Sequence, residues 1–407
     1  MSAEDKVPAI RFKGFSGAWE DKKFNNIVVN LSGGASIAPN DYQKDGIRTI
    51  PKGAVNATGV ADLSGSKYVS IDFYEKNILN KVSSEDLVTS LRDLVPTAPN
   101  MGRVVKIRSP KEDFLMPQGV YKIELKKGVD ENFVIAYSNS EVFRKIISRE
   151  KNGSTQVHLR NGEFLNIEII RPKSEEQTKI GTYFQQLDTL LAQHQQKHDK
   201  LLNLKKALLE KMFPKQGATE PEIRFKGFSG KWEESSFSTI AESFDYGLNA
   251  AAKKYDGKNK YIRITDINED TREFDVSDVT SPDANLSMAD NYKLKLGDIL
   301  FARTGASVGK TYIYRKQDGL VYFAGFLIRA RIKENVNAEF VFQSTLTEKY
   351  NKFIRLTSQR SGQPGVNAQE YRLYNIFLPQ QKEQTKIGNL FKQLDELITQ
   401  HQAQLKK

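Results

Sequence analysis

The chain contains no cysteine, which excludes disulfides, thiol nucleophiles and cysteine-held zinc or iron–sulfur clusters. Histidine is nearly as scarce, with four among 407 residues. No run approaches the roughly 18 consecutive apolar residues of a membrane span, and the opening MSAEDKVPAI has no secretory apolar region. A cytoplasmic setting is the simplest expectation. A nucleophile elbow, a dinucleotide fingerprint and an Asn-Pro-Pro-aromatic methyltransferase motif are all missing, so catalysis has little support.

What is present is basic charge. Lysine and arginine number 61 against 50 acidic residues, a net charge of +11 with a pI near 9.3. An excess of that size points to a polyanionic partner, nucleic acid first. The composition, 39% hydrophobic and 27% charged, is that of a globular chain. At roughly 100–200 residues per domain the length allows two to four domains.

The plan is written twice. IRFKGFSGAWE (10–20) returns as IRFKGFSGKWE (223–233), and EQTKIGTYFQQLDTLLAQHQQK from Glu176 returns as EQTKIGNLFKQLDELITQHQAQ from Glu383. The similar offsets, 213 and 207, make the chain a tandem duplication whose joint lies in FPKQGATEPE (213–222). The near-identical box argues for a shared frame: Phe12, Phe15 and Trp19, with Phe225, Phe228 and Trp232, anchor the start of each variable region. Arg11 and Arg224 are left to touch phosphate or a partner subunit.

The second block reads as a long helix. Ile180, Phe184, Leu187, Leu191, His194, His198, Leu201, Lys205, Leu208 and Met212 recur in alternating steps of four and three, a heptad seam. Its copy gives Ile387, Phe391, Leu394, Ile398, His401 and Leu405. An apolar stripe needs a partner, and the nearest is the other copy, so an intramolecular helix pair is expected. His194 and His198 could clamp a metal, yet no further ligand is evident, and polar seam residues more often specify register. The second copy has no counterpart of LLNLKKALLEKMF, which is expected to leave Leu201, Leu208 and Met212 short of partners.

Between these blocks lie two dissimilar regions of short β-type runs, such as VVKIRS, YKIEL and DILFAR, broken by Gly, Pro and Asn. RDLVPTAPNMGRV (92–104) is similar to GDILFARTGASVGKT (297–311). TGASVGKT is not a phosphate-binding P-loop: Thr304 stands where the first glycine belongs and a β-like run follows. A loop offering Arg303, Thr304, Ser307 and Lys310 to a polyanion fits better, and Thr97, Asn100 and Arg103 are the counterparts in the first copy. Gln359, Arg360, Ser361 and Gln363 in LTSQRSGQPGVN are side-chain types that reach base edges and phosphates. The corresponding stretch, SREKNGSTQVHLRNGE, offers Arg149, Lys151, Asn152, Ser154 and Gln156. Asp113, Glu124 and Lys126 loosely echo a metal-dependent nuclease site, but the second copy lacks them and a solvated strand face is the plainer reading.

Two divergent β-rich regions, each followed by an EQ-x-K-I-G helix and joined through MFPK…RFKGFSG…WE, resemble the DNA-specificity subunit of type I restriction–modification systems. The resemblance covers essentially the whole chain, most strongly at 171–191, 297–310 and 378–398. It implies an α+β fold: two pseudo-symmetric β-rich target recognition domains separated by two long antiparallel helices forming an intramolecular coiled coil. The expected divisions are recognition domain one (1–173), spacer helix one (174–213), a linker (214–222), recognition domain two (223–381) and spacer helix two (382–407). The family's subunit has no catalytic activity and binds no cofactor. It reads an asymmetric bipartite site in double-stranded DNA and docks two methyltransferase subunits carrying S-adenosylmethionine. In assemblies that cut, two motor–nuclease subunits bring ATP and magnesium. Forty helical residues span about 60 Å, enough to separate two half-sites by about one DNA turn. The rival readings are a stand-alone nuclease and a two-domain protein-binding scaffold.

Overall fold

The structure, a computed structural model, describes residues 6–110, 112–359 and 362–405. The chain divides into two compact units, Met1–Ala192 and Gln193–Lys407. The first holds helices α1 (Ile71–Lys76), α2 (Glu131–Asn139), α3 (Glu141–Glu150), α4 (Asn161–Leu165) and the start of α5 (Ser174–Met212). The second holds the rest of α5, then α6 (Phe237–Ile240), α7 (Ala338–Ser344), α8 (Glu348–Thr357), α9 (Ala368–Arg372) and α10 (Gln381–Leu405).

Each unit is built on the same strand plan. An antiparallel sheet runs, in spatial order, Val28–Gly33, Val120–Leu125, Leu87–Ser90, Val104–Lys106 in the first. The second unit repeats it as Ala241–Tyr246, Leu327–Ile332, Asp298–Ala302, Thr311–Ile313. A second sheet in each contains one parallel pair, Ile47–Thr49 with Asp113–Leu115 and Lys260–Ile262 with Val321–Phe323. The chain enters and leaves each unit through a two-stranded ribbon, Glu20–Lys23 with Glu168–Arg171 and Glu233–Ser236 with Asn375–Leu378.

This plan corrects one register. Asp298 opens a buried strand, and its carboxylate accepts the Lys295 amide and pairs with Arg331 on the neighbouring strand. The residue doing this in the first unit is Asp86, which accepts the Ser83 amide and pairs with Lys122. The residues before them, Glu85 and Gly297, both adopt positive φ. GDILFA therefore matches EDLVTS (85–90), not RDLVPT seven residues on. The far end of the similarity holds: Gly102 and Gly309 each lie where an added Cβ would strike an isoleucine, Ile147 and Ile354. The loop between them is thirteen residues in the first unit (91–103) and eight in the second (303–310), so the copies differ in length where they also differ in sequence.

The repeated blocks form the joints. Arg11 forks onto Glu176 with two bonds of 2.7 Å, and Arg224 does the same to Glu383 at 2.9 and 2.7 Å. The hydrogen bond that each guanidinium donates to its carboxylate holds it above its ordinary pKa. These arginines are thus tied to the helix starts, where each neutralises a buried glutamate that would otherwise lie unpaired. Gln177 accepts the Asp130 amide and donates to the Pro172 carbonyl, and Gln384 repeats this with Asn337 and Pro379. Trp19 packs edge-on to Phe133, and Trp232 to Phe340. Phe15 and Phe228 lie beneath the lysines of the helix block, Lys179 and Lys386.

The second half of α5 runs antiparallel to α10. His194 meets His401, its own counterpart, Nδ1 to Nδ1 at 2.8 Å. Lys205 pairs with Asp395 at 2.5 Å, and Phe213 stacks on Phe340 and tilts onto Phe391. Met212 and Phe213 are buried and Leu201 and Leu208 pack against the same core, so the expected shortage of partners for Leu201, Leu208 and Met212 is not found. The reason is direction: antiparallel pairing sets the end of α5 on the start of α10. The exposed part of the seam is elsewhere, at Phe184, Leu187 and Leu191. Among the described residues no helix is long and apolar enough to cross a membrane.

Candidate nucleic-acid interface

In the first unit the residues Arg92–Asp93 form a short ladder with Val157–His158. Two stretches singled out separately in the sequence, 92–103 and 149–158, therefore meet. They border a groove of about 550 Å³ that also takes in Lys52, Asn100, Gln118 and Gln156. Thr97, Ser154 and Gln156 are exposed. Arg149 is exposed beside Glu150, and the Asn100 amide is held by Asp93. The loop is braced from beneath by Arg144, whose guanidinium donates to the Met101 and Ala98 carbonyls at 2.6 Å. Burial, then the charge of Arg103, pulls Arg144 down to about 10.

Three candidates there serve the loop itself. Arg103 donates to the Pro99 carbonyl at 2.7 Å and to Asn139. Lys151 donates to the Pro96 carbonyl, and Asn152 bridges to His158 and bonds Glu163. Their side chains fix the loop's shape, because turning it without helix or strand leaves carbonyls that need donors.

The second unit repeats the pairing with other residues. Thr304 bridges to Gly365, and the Gly305 amide donates to the Pro364 carbonyl. The loop 303–310 is thus joined to residues 362–367, with Gln359 and Gln363 exposed, the latter against Gly305. Arg360 and Ser361 lie outside the described residues. A groove of about 700 Å³ opens beside Arg303, lined by Tyr246, Asn249, Arg263, Thr265 and Phe326 among others. The Arg303 guanidinium lies 5.1 Å from the Tyr246 ring centre and 5.8 Å from that of Phe326, and its buried Nε has no hydrogen-bond partner among the described residues. Phe326 is 56% exposed. A cation held between two exposed rings beside a groove suits the stacking and charge that nucleic acid presents. Ser307 is half-buried in its loop. Lys310 is turned inward onto Glu269, holding that carboxyl below its ordinary range, and is unsuited to a polyanion.

The nuclease echo does not assemble. Asp113 pairs with Lys81 on one sheet, Glu124 lies exposed on the other, and Lys126 donates to the Asn25 carbonyl. Among the described residues no group of three His, Asp or Glu side chains could hold a metal.

The model of the family described as the type I restriction modification DNA specificity domain matches residues 19–203 and 230–407. The chain belongs to that family. Its specificity subunits are non-catalytic, and the duplicated match coincides with the two copies read from the sequence. The specificity subunit of the type I restriction enzyme MjaVIII from Methanocaldococcus jannaschii is 24% identical over 200 residues, covering 47% of this chain and 44% of that protein. The alignment thus spans less than half of that relative's length. The type I specificity subunit from M. genitalium shares the fold with a TM-score of 0.60 at 14% identity, across 98% of this chain and 94% of that one. The subunit from Thermoanaerobacter tengcongensis gives a TM-score of 0.39 at 13% identity, covering 98% and 93%.

For a specificity chain the grooves also name residues that sequence reasoning missed: Arg92, Lys52, Gln118 and His158 in the first unit, and Tyr246 and Phe326 in the second. The signal for Arg92 was present, since it stands two residues past the strand 87–90 as Thr304 stands two past 298–302. The seven-residue slip in register hid it.

Proposed function

We propose that the chain reads DNA sequence for a type I restriction–modification complex, each unit taking one half of an asymmetric bipartite site. One observation carries this reading. A common strand scaffold carries, after corresponding strands in both units, a pair of joined loops beside a groove, and the loops differ in sequence and in length. Shared framing with divergent loops is what two readers of different sequence require. The first half-site falls to the groove at Arg92, Asn100 and Gln156, the second to that at Arg303, Tyr246 and Phe326, with Gln359 and Gln363 offered from the neighbouring loop. Two methyltransferase subunits bring S-adenosylmethionine, and restriction subunits bring ATP and magnesium when they join. The chain supplies position and sequence choice.

Phosphate contacts release counterions, so duplex affinity falls steeply with salt. In complex with its methyltransferase, the Arg303→Ala variant is expected to bind about tenfold more weakly and, if the contact is to phosphate, to lower the salt slope by about one. Affinity indifferent to salt, or unchanged by Arg303→Ala, contradicts the proposal and favours a protein-binding scaffold.

A further inference from the structure

Three positions that are equivalent in the two units carry unrelated side chains. In the second unit they are Arg303, Tyr246 and Phe326; in the first they are Leu91, Gly33 and Gly119. The ladders fix the equivalence. Tyr246 faces Ile328 as Gly33 faces Tyr121, and Ile299 faces Ala330 as Leu87 faces Ile123. The Arg303 amide donates to the Phe326 carbonyl at 3.1 Å, as the Leu91 amide donates to that of Gly119 at 3.4 Å. Gly247 and Gly34 each lie where an added Cβ would strike a carbonyl oxygen, 2.1 Å from that of Ala324 and 2.2 Å from that of Pro117. One backbone thus carries an arginine between two rings in one copy, and a buried leucine beside two glycines in the other.

The arginine is pinned through its backbone and its rings. Its carbonyl accepts the Val366 amide at 2.9 Å, and the Tyr246 hydroxyl accepts that of Ala368 at 3.2 Å. The guanidinium lies against both rings with Nε buried, and it has no acceptor among the described residues. The neighbouring Arg263 already forks onto Asp266. None of the described side chains lining the groove is acidic. A planar fork of N–H donors therefore stands beside the groove with nothing to donate to.

Two adjacent acceptors would satisfy it, on a phosphate or on a base. Phosphates are alike in both half-sites, so a phosphate contact belongs to the shared frame. A cluster built in one copy alone belongs to what differs. In the major groove only guanine offers two acceptors, N7 and O6; adenine pairs an acceptor with a donor, cytosine offers a donor and thymine one acceptor. We infer that Arg303, clamped by Tyr246 and Phe326, reads a guanine of the second half-site. The inference rests on the DNA-reading proposal and deepens it by naming a base. Phe326 acts through Arg303, as a positioning residue.

The test uses the complex with its methyltransferase and duplexes carrying the methylated motif. Each guanine of the second half-site, on either strand, is replaced in turn by 7-deazaguanine, which pairs normally but lacks N7. At one position the replacement is expected to weaken binding by the unaltered protein about fivefold or more, and to leave Arg303→Ala indifferent. Arg303→Lys keeps the charge and is expected to lose the preference for guanine there, with the salt slope unchanged. Phe326→Ala removes an exposed ring and is expected to blunt the response to 7-deazaguanine, with Phe326→Tyr restoring it. A structural role alone would not move that response, and the change made in the DNA does not depend on any variant folding. No sequence-selective binding by the complex overturns this inference together with the DNA-reading proposal. Selective binding that ignores 7-deazaguanine throughout, or a second half-site with no G·C pair, overturns this inference alone. So does a response to 7-deazaguanine that survives Arg303→Ala. Wild-type selectivity in Arg303→Lys assigns the arginine to phosphate and also overturns it.

Discussion

At Gly181 a hydrogen atom decides whether a helix can be seated. An added Cβ would lie 2.4 Å from the Asp130 carboxylate and 2.6 Å from the Phe133 amide, the cap of α2. Gly388 stands in the same relation to Asn337 and Phe340. Gly181→Ala is therefore expected to destabilise the first unit by about 1–3 kcal/mol, read as a lower denaturation midpoint. Arg224→Ala strands a buried Glu383 and is expected to cost about 3 kcal/mol, with Arg224→Lys recovering only part because lysine cannot fork. The EQTKIG repetition was plain in the sequence, but its meaning was not: Arg11 and Glu176 are 165 residues apart. An arginine beside phenylalanines reads equally well as a phosphate contact until its carboxylate partner is located. Lys310 misled in the same way, its partner Glu269 lying on another segment.

Helices were the most legible elements. The heptad spacing identifies the seam of α10, and Ile387, Phe391, Leu394 and Ile398 are all buried. The same spacing in α5 does not separate its covered second half from its exposed first half, because periodicity marks a stripe and not its occupant. Where the helices meet, the register role expected of the histidines has a geometric basis in the His194–His401 contact. Burial, and then the facing His194, Lys197 and His198, lower the pKa of His401 below 6.5. The unfolded chain thus takes up the proton first as pH falls. The pairing contributes fully above about pH 6.5 and is lost as the pH drops through the depressed value. Thermal unfolding at pH 7.5 and 5.5 checks this: the midpoint should fall on acidification, and His401→Gln should flatten that dependence. A midpoint rising with acidity would have the wrong sign. Strands were the least legible. Short β runs carry little register information, and the seven-residue slip at Asp93 arose because Asp-aliphatic-aliphatic occurs twice within ten residues, at 86–88 and 93–95.

At the scale of the whole molecule the repetition accounts for the family and for its division of labour. What recurs in sequence is what seats each unit on its helix; what diverges lies on the loops facing the grooves. If each groove reads its own half-site, the units are separable in specificity. Methylome sequencing of a host carrying this chain with its methyltransferase tests that most directly. The account predicts one asymmetric bipartite motif with unread bases between its halves, and Arg303→Ala altering or relaxing one half while leaving the other intact. A continuous motif, or a substitution that changes both halves together, would contradict it.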